Sequence, residues 1–278
     1  MGFTADLELL AAEPLIRLAV FAGVLAALAI AEVAAPRRRL AIARRRRWPG
    51  NIGIVAIDTL LVRILFPTAA VGVALLTEAR GVGLLNIVAL PGWLSLLLSF
   101  VLLDLIIYAQ HRLFHAAPWL WRLHRMHHSD PDLDVTSGVR FHPLEILLSM
   151  GIKLGAVVLL GAPAVAVMLF EVVLNATAMF SHSNIRFPRA LDRLLRLVIV
   201  TPDMHRVHHS TERRELQSNF GFNLPWWDRL FGTYCVQPAA GHEAMTLGVA
   251  GTEERDALRL DRMLLDPLRR KRSGGTIG

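Results

Sequence analysis

Residues 91–130 read PGWLSLLLSFVLLDLIIYAQHRLFHAAPWLWRLHRMHHSD, and this stretch decides the fold. From about Trp93 to Gln110 it is almost unbroken apolar sequence, close to the ~20 residues that a helix needs to cross a bilayer. Where the apolar run stops, histidines begin: His111 and His115, then His124, His127 and His128. A helix brings residues i, i+3 and i+4 to one face. HRLFH (111–115) and HRMHH (124–128) therefore each aim several imidazoles at one point, directly beyond the end of a span.

Working outward, the same pattern returns as HRVHH, carrying His205, His208 and His209. Thr201 and Pro202 just before it read as an N-cap and a first-turn proline, so this cluster too opens a helix. Imidazole suits zinc, copper, iron or nickel. Packed together without a metal, cationic imidazoles repel and neutral ones lack partners. A structural or catalytic zinc takes about four protein ligands at most, so eight imidazoles point to two ions. Two further histidines are candidates. His182, in SHSN, needs a partner at the end of an apolar run. His142, in RFHPLE, is either a ligand or the cap of a helix starting at Pro143, with Glu145 reaching back. His242 lies in a Gly/Ala-rich loop and reads as solvated. Asp104 and Tyr108 share the helix face of His111 and His115, so Asp104 can accept from an imidazole N–H; its alternative is a salt bridge or a water-facing position. Asp104 and Tyr108 are the candidate catalytic residues. Trp119, Trp121, Trp226 and Trp227 flank the histidine segments and read as interfacial anchors.

The rest of the 278-residue chain agrees with a membrane protein. Hydrophobic residues make up 54% and charged residues 19%, against about 25% charge in soluble domains. Further spans run from about Leu15 to Ala35 and from Ile52 to Leu76, the second carrying Asp58 and Arg63, which must face protein or sit near an end. The apolar stretch from Leu144 to Phe180 is too long for one crossing and is divided by Gly161, Ala162 and Pro163 into a helical hairpin. This gives an all-α bundle of about four spans including the hairpin, with a helical, histidine-rich cap. Its regions are a membrane part (1–100), a catalytic part (101–236) and a tail (237–278).

The net charge of +7 rests on arginine, lysine occurring only at 153 and 271. These arginines abut apolar segments instead of forming an aromatic-interleaved patch, which argues against nucleic acid. Positive loops stay inside. Arg37–Arg39 and Arg44–Arg47 then place the first loop in the cytoplasm, and counting spans puts every histidine cluster and the C-terminal region on that same side of the inner membrane. The first apolar stretch lacks the positive leader and short core of a cleavable signal. Cys235 alone cannot form an internal disulfide or a thiolate cluster.

The motifs HRLFH, HRMHH and HRVHH, together with RFHPLE (140–145), SHSN (181–184) and NFGFNLPWWDRLFGTY (219–234), resemble the fatty acid hydroxylase/sterol desaturase superfamily. The resemblance runs from about Leu102 to Tyr234 in the order of that family. It implies an integral-membrane, non-haem di-iron oxidoreductase that uses O₂ and electrons to hydroxylate or desaturate a lipid, fatty acyl or sterol-like. The implied ligands are His111, His115, His124, His127, His128, His205, His208 and His209, with His182 and His142 completing the set. Zinc is the expected substitute in purified protein. A separate electron-donor protein is implied, since no fused haem-binding domain is visible. The rival classes are a zinc hydrolase, which would want a carboxylate base as in HExxH, and a metal transporter, which would hold its ligands at mid-bilayer in broken helices.

Overall fold

The structure is a computed structural model, and it describes residues 10–66, 68–88 and 90–269. Seven helices of eleven or more residues carry the architecture: α1 Glu13–Ala34, α2 Arg44–Leu65, α3 Ala69–Ala79, α4 Gly92–Ala116, α5 Pro118–His128, α6 Pro143–Leu160 and α7 Ala164–His182. Two seven-residue helices follow, α8 Arg189–Leu195 and α9 Pro202–His208. Among the described residues there are no strands, only the isolated bridges Pro36–Ile185 and Ser210–Leu247.

Five stretches are long and apolar enough to cross a membrane: Glu13–Ala34, Arg44–Ile87, Gly92–Ala116, Pro143–Leu160 and Ala164–His182. The outer surface is correspondingly greasy. Helix α1 buries only Glu32, while its Leu15, Leu18, Ile30 and Val33 are exposed. An apolar exterior on helices that satisfy their own backbone hydrogen bonds is what a multi-pass membrane protein requires. The second expected span is not one continuous helix. It breaks after Leu65, where Phe66 takes φ −129° and ψ 67°, because the residue before a proline is pushed out of the helical region. The following α3, at ~16 Å, is too short to cross alone. Asp58 is buried and Arg63 exposed near the end of α2. Both hairpin helices, in contrast, have spanning length.

Helix α7 lies at the centre, packed by α1, α3, α4 and α9 and by the 3₁₀ turn Val135–Val139. Its core with α3, α4 and α6 mixes small residues (Ala70, Ala74, Ala156, Ala164) with Leu103, Val167 and Phe170, which lets the helices approach closely. Closest approach occurs where the α6–α7 turn meets the segment before residue 84. Gly161 caps α6 in the left-handed region at φ 64°, and a Cβ on Gly83 would stand 2.3 Å from its backbone nitrogen. Only glycine fits both positions.

Beneath the bundle, arginines have been drawn inside. Arg47 is fully buried and pairs with Asp130 (Nε–Oδ1 2.8 Å) and Asp134 (2.6 Å). Burial works to raise the Asp130 carboxyl, but the Arg47 and Arg140 charges outweigh it and hold it at about 2. Arg140 donates to Asn51, Ser129 and the Met126 carbonyl. These bonds lock residues 129–140, which connect α5 to α6, against the start of α2. Residues 254–269 close the same underside: Met263 packs on Ile54 and Met126, and Arg125 binds Asp266.

Candidate metal centre

Helices α4, α5, α7 and α9 all end on the region beside this arginine layer, and their last turns carry the histidines. Nine of the eleven form two buried groups. His111, His115, His124, His128 and His208 make the first, and His127, His182, His205 and His209 the second; within each, one nitrogen per ring lies within 4.8 Å of all the others. The arrangement explains the paired histidines in HRMHH and HRVHH. Adjacent residues on a helix point ~100° apart. His128 and His208 therefore turn to the first group, and His127 and His209 to the second. The two groups adjoin, the His128 and His209 rings stacking at 4.3 Å.

Five rings are held by their other nitrogen. The Nδ1–H of His111 donates to the Phe220 carbonyl (2.8 Å), of His127 to Arg140 (2.9 Å), of His182 to Ala178 (2.7 Å) and of His208 to Ser218 (2.7 Å). His124 Nδ1 donates to Glu145 Oε1 at 2.7 Å. A carbonyl only accepts, so the proton sits on Nδ1 and Nε2 presents a lone pair. Yet Nε2 of His111 lies 3.1 Å from that of His124 and 3.0 Å from that of His208, and the His127 and His182 Nε2 atoms are 3.1 Å apart. Lone pairs facing at such distances repel unless a cation lies between them. Protonation is opposed at His127, His128, His205, His208 and His209, where burial and neighbouring imidazoles favour the neutral ring: His208 is pushed down to about 3, and the other four lie well below their ordinary value. The donor set fits metal ions.

Aromatic rings wall the groups. Phe141 stacks on His127 at 4.4 Å, Trp121 lies 4.8 Å from His115, and Phe220 packs edge-on against His115 and His208. Trp121 is thus buried against imidazoles, and Trp227 is buried too, so only the exposed Trp119 and Trp226 match the expectation of interfacial anchors.

His142 is not brought to either group. Its Nδ1 accepts from the Leu144 N–H at 3.2 Å, capping α6, and its Nε2 faces the Leu264 carbonyl. Glu145 does not reach back to the cap; its carboxylate serves His124. Among the described residues Asp104 touches no imidazole and forms no salt bridge. It accepts from the Asn223 and Leu224 N–H groups (3.2 Å each) and from Trp227 Nε1 (2.8 Å). Tyr108 bonds Thr233 and stacks on Phe231. Both fasten the 219–234 loop, whose Phe220 carbonyl holds His111. Asp228 completes that loop by accepting from the Phe220 and Gly221 N–H groups, a role that no local sequence signal announces. His242 is buried near Asp203, not solvated. Thr201 caps α9 as expected.

The fatty acid hydroxylase family matches residues 96–233, a segment that contains all nine histidines of the two groups. The chain belongs to that family. The chain is similar to the ornithine lipid hydroxylase OlsE of Rhizobium tropici, 31% identical over 188 residues, 68% of this chain and 54% of that protein. It is also similar to alkylglycerol monooxygenase of Homo sapiens, 29% identical over 49% of this chain and 29% of that one. Cholesterol 25-hydroxylase of Rattus norvegicus is 29% identical over 52% of this chain and 50% of that one. The match thus spans about half or less of these relatives' own lengths. No solved structure matches the fatty acid hydroxylase region or the rest of the chain.

Proposed function

We propose that the chain is a membrane-bound, O₂-dependent lipid oxidoreductase whose two histidine groups each hold one iron ion. The observation that carries this reading is the double convergence of imidazole lone pairs inside the family-matched region. The relatives named above are, by name, hydroxylases and monooxygenases of lipids, which supports hydroxylation of a lipid C–H bond. Desaturation as the alternative outcome, and a fatty acyl or sterol-like substrate, are what the resemblance of the histidine motifs implies.

When bound, the iron pair supplies the oxidising chemistry; the protein supplies position and surroundings. His111, His115, His124, His128 and His208 would hold one ion, and His127, His182, His205 and His209 the other. His142 stands outside the set as a helix cap. Anchored Nδ1–H groups stop five of the rings from turning. Glu145 raises the basicity of His124 through its carboxylate. The Phe141, Phe220 and Trp121 rings make the surroundings of the imidazoles apolar, which would favour a hydrocarbon over water beside the centre. Asp104 and Tyr108 are positioning residues, acting through the 219–234 loop.

Orientation follows the arginine-rich loops, with the metal centre and the C-terminal region on the cytoplasmic side of the inner membrane. A cytoplasmic or membrane-surface protein would deliver electrons there. The zinc-hydrolase alternative wants a carboxylate base free to take a proton beside the rings, whereas the Glu145 carboxylate already accepts the His124 Nδ1–H through Oε1. The test is metal content with oxygen uptake. Purified protein should carry about two irons per chain and consume O₂ only with both reductant and lipid, and His127→Ala or His208→Ala should abolish uptake and lower iron. Full uptake in both variants, or hydrolysis without reductant, would sink the reading.

A further inference from the structure

A cavity of about 670 Å³ lies apart from the histidines at the end of α1, lined by Glu32, Arg37, Arg38, Arg39, Arg44 and Glu243 among others. Its volume lies within the range of small-molecule sites. The two carboxylates are already engaged. Glu32 accepts from the Val135 and Asn184 N–H groups and pairs with Arg44, and Glu243 pairs with Arg37 at 3.1 Å. Arg37 also binds both oxygens of Asp203. Arg38 is different: its Nε and Nη1 are buried with no hydrogen-bond partner, and no carboxylate among the described residues pairs with it. Buried donors without acceptors are costly, and a guanidinium fork matches the oxygens of phosphate or carboxylate.

The location supplies the second observation. Helix α1 ends at Ala34 and α2 begins at Arg44, so the cavity opens where a span ends and lipid headgroups lie. It is also tied to the metal centre. Asn184, two residues beyond His182, lines the cavity and bonds the Arg38 backbone in both directions (3.0 and 2.8 Å). A polar head seated here would leave its apolar chain on the bilayer side, alongside α1 and α7.

We infer that this arginine-lined cavity is a headgroup site, which takes the phosphate or carboxylate of an anionic lipid. Arg38 and Arg39 supply its unanswered charge. Binding is independent of the metal chemistry; only the step from bound lipid to oxidised product rests on the function proposed above.

The experiment titrates purified protein in neutral detergent with phosphatidylglycerol, with phosphatidylcholine and with inorganic phosphate, reading bound lipid by native mass spectrometry. Phosphatidylglycerol should bind preferentially, and Arg38→Gln should cut the preference by about tenfold, as expected for loss of a charge-assisted contact. Arg39→Gln, at an exposed position where folding is not at stake, should reduce it in the same direction, while Arg63→Gln on the exposed side of α2 should not. Inorganic phosphate that binds as tightly as the lipid would reassign the site to a free anion. Equal retention of the two lipids, or an unchanged preference in both cavity variants, overturns the proposal. Intact anionic-lipid binding in protein that oxidises no lipid would overturn the functional reading instead.

Discussion

Changing Glu145 tests whether the residues behind the imidazoles set the metal affinity. Its carboxylate is almost fully buried and receives the His124 Nδ1–H at 2.7 Å. Glu145→Gln keeps the shape and an acceptor oxygen but removes the charge that makes this bond strong. Loss of such a partner typically lowers metal affinity about 10- to 100-fold, or roughly 1.4–2.8 kcal/mol. Glu145→Ala goes further, leaving the His124 N–H buried without an acceptor at an added cost of about 1–3 kcal/mol. The assay is metal retained per chain during dialysis against graded chelator, measured by mass spectrometry alongside thermal unfolding. About half the metal, from the group of His111, His115, His124, His128 and His208, should leave at lower chelator strength, and Ala should exceed Gln. Identical chelator curves for wild type and both variants, with the fold intact, would refute the idea that Glu145 tunes that group.

Acid should destabilise the metal-free protein. His208 is held at about 3 when folded and near 6.5 when unfolded. The unfolded chain therefore binds the extra proton, and stability falls from about pH 6.5 downward by roughly 1.4 kcal/mol per unit from this ring alone; a flat unfolding profile between pH 7 and 5 would count against it. Arg47→Met should cost about 3–5 kcal/mol, since it leaves Asp130 and Asp134 buried without their cation, read as a drop in Tm with loss of metal. Gly138→Ala should cost about 1–3 kcal/mol, because its Cβ would stand 2.4 Å from the Ala178 carbonyl, the same oxygen that anchors His182; chelator sensitivity of the second group reports the displacement.

The features legible in the sequence were those with a period. Apolar runs gave the spans, Gly161 and Pro163 marked the hairpin turn, and the i, i+3, i+4 spacing put imidazoles on common faces. The division of the histidines into two groups could not be read the same way, because it depends on how α5 and α9 are rotated against α4 and α7. Tertiary context also reversed several local readings. Arg47 sits in an arginine block that reads as a topology signal, but its guanidinium is wrapped by acids more than 80 residues away. Asp104 shares a face with His111, yet its carboxylate turns to a loop more than 100 residues later. His242 looked solvated in a Gly/Ala-rich loop, but a buried pocket beside Asp203 receives it. In each case the deciding partner is remote in the chain, where no window of neighbouring residues can show it.

The splitting of each histidine doublet between neighbouring groups has a consequence for how the protein is filled. An ion that draws His128 or His208 into one group would also set the helix rotation that presents His127 or His209 to the other. Occupation of the two groups is therefore expected to be coupled, so that a group weakened by substitution empties first and loosens its neighbour as it goes.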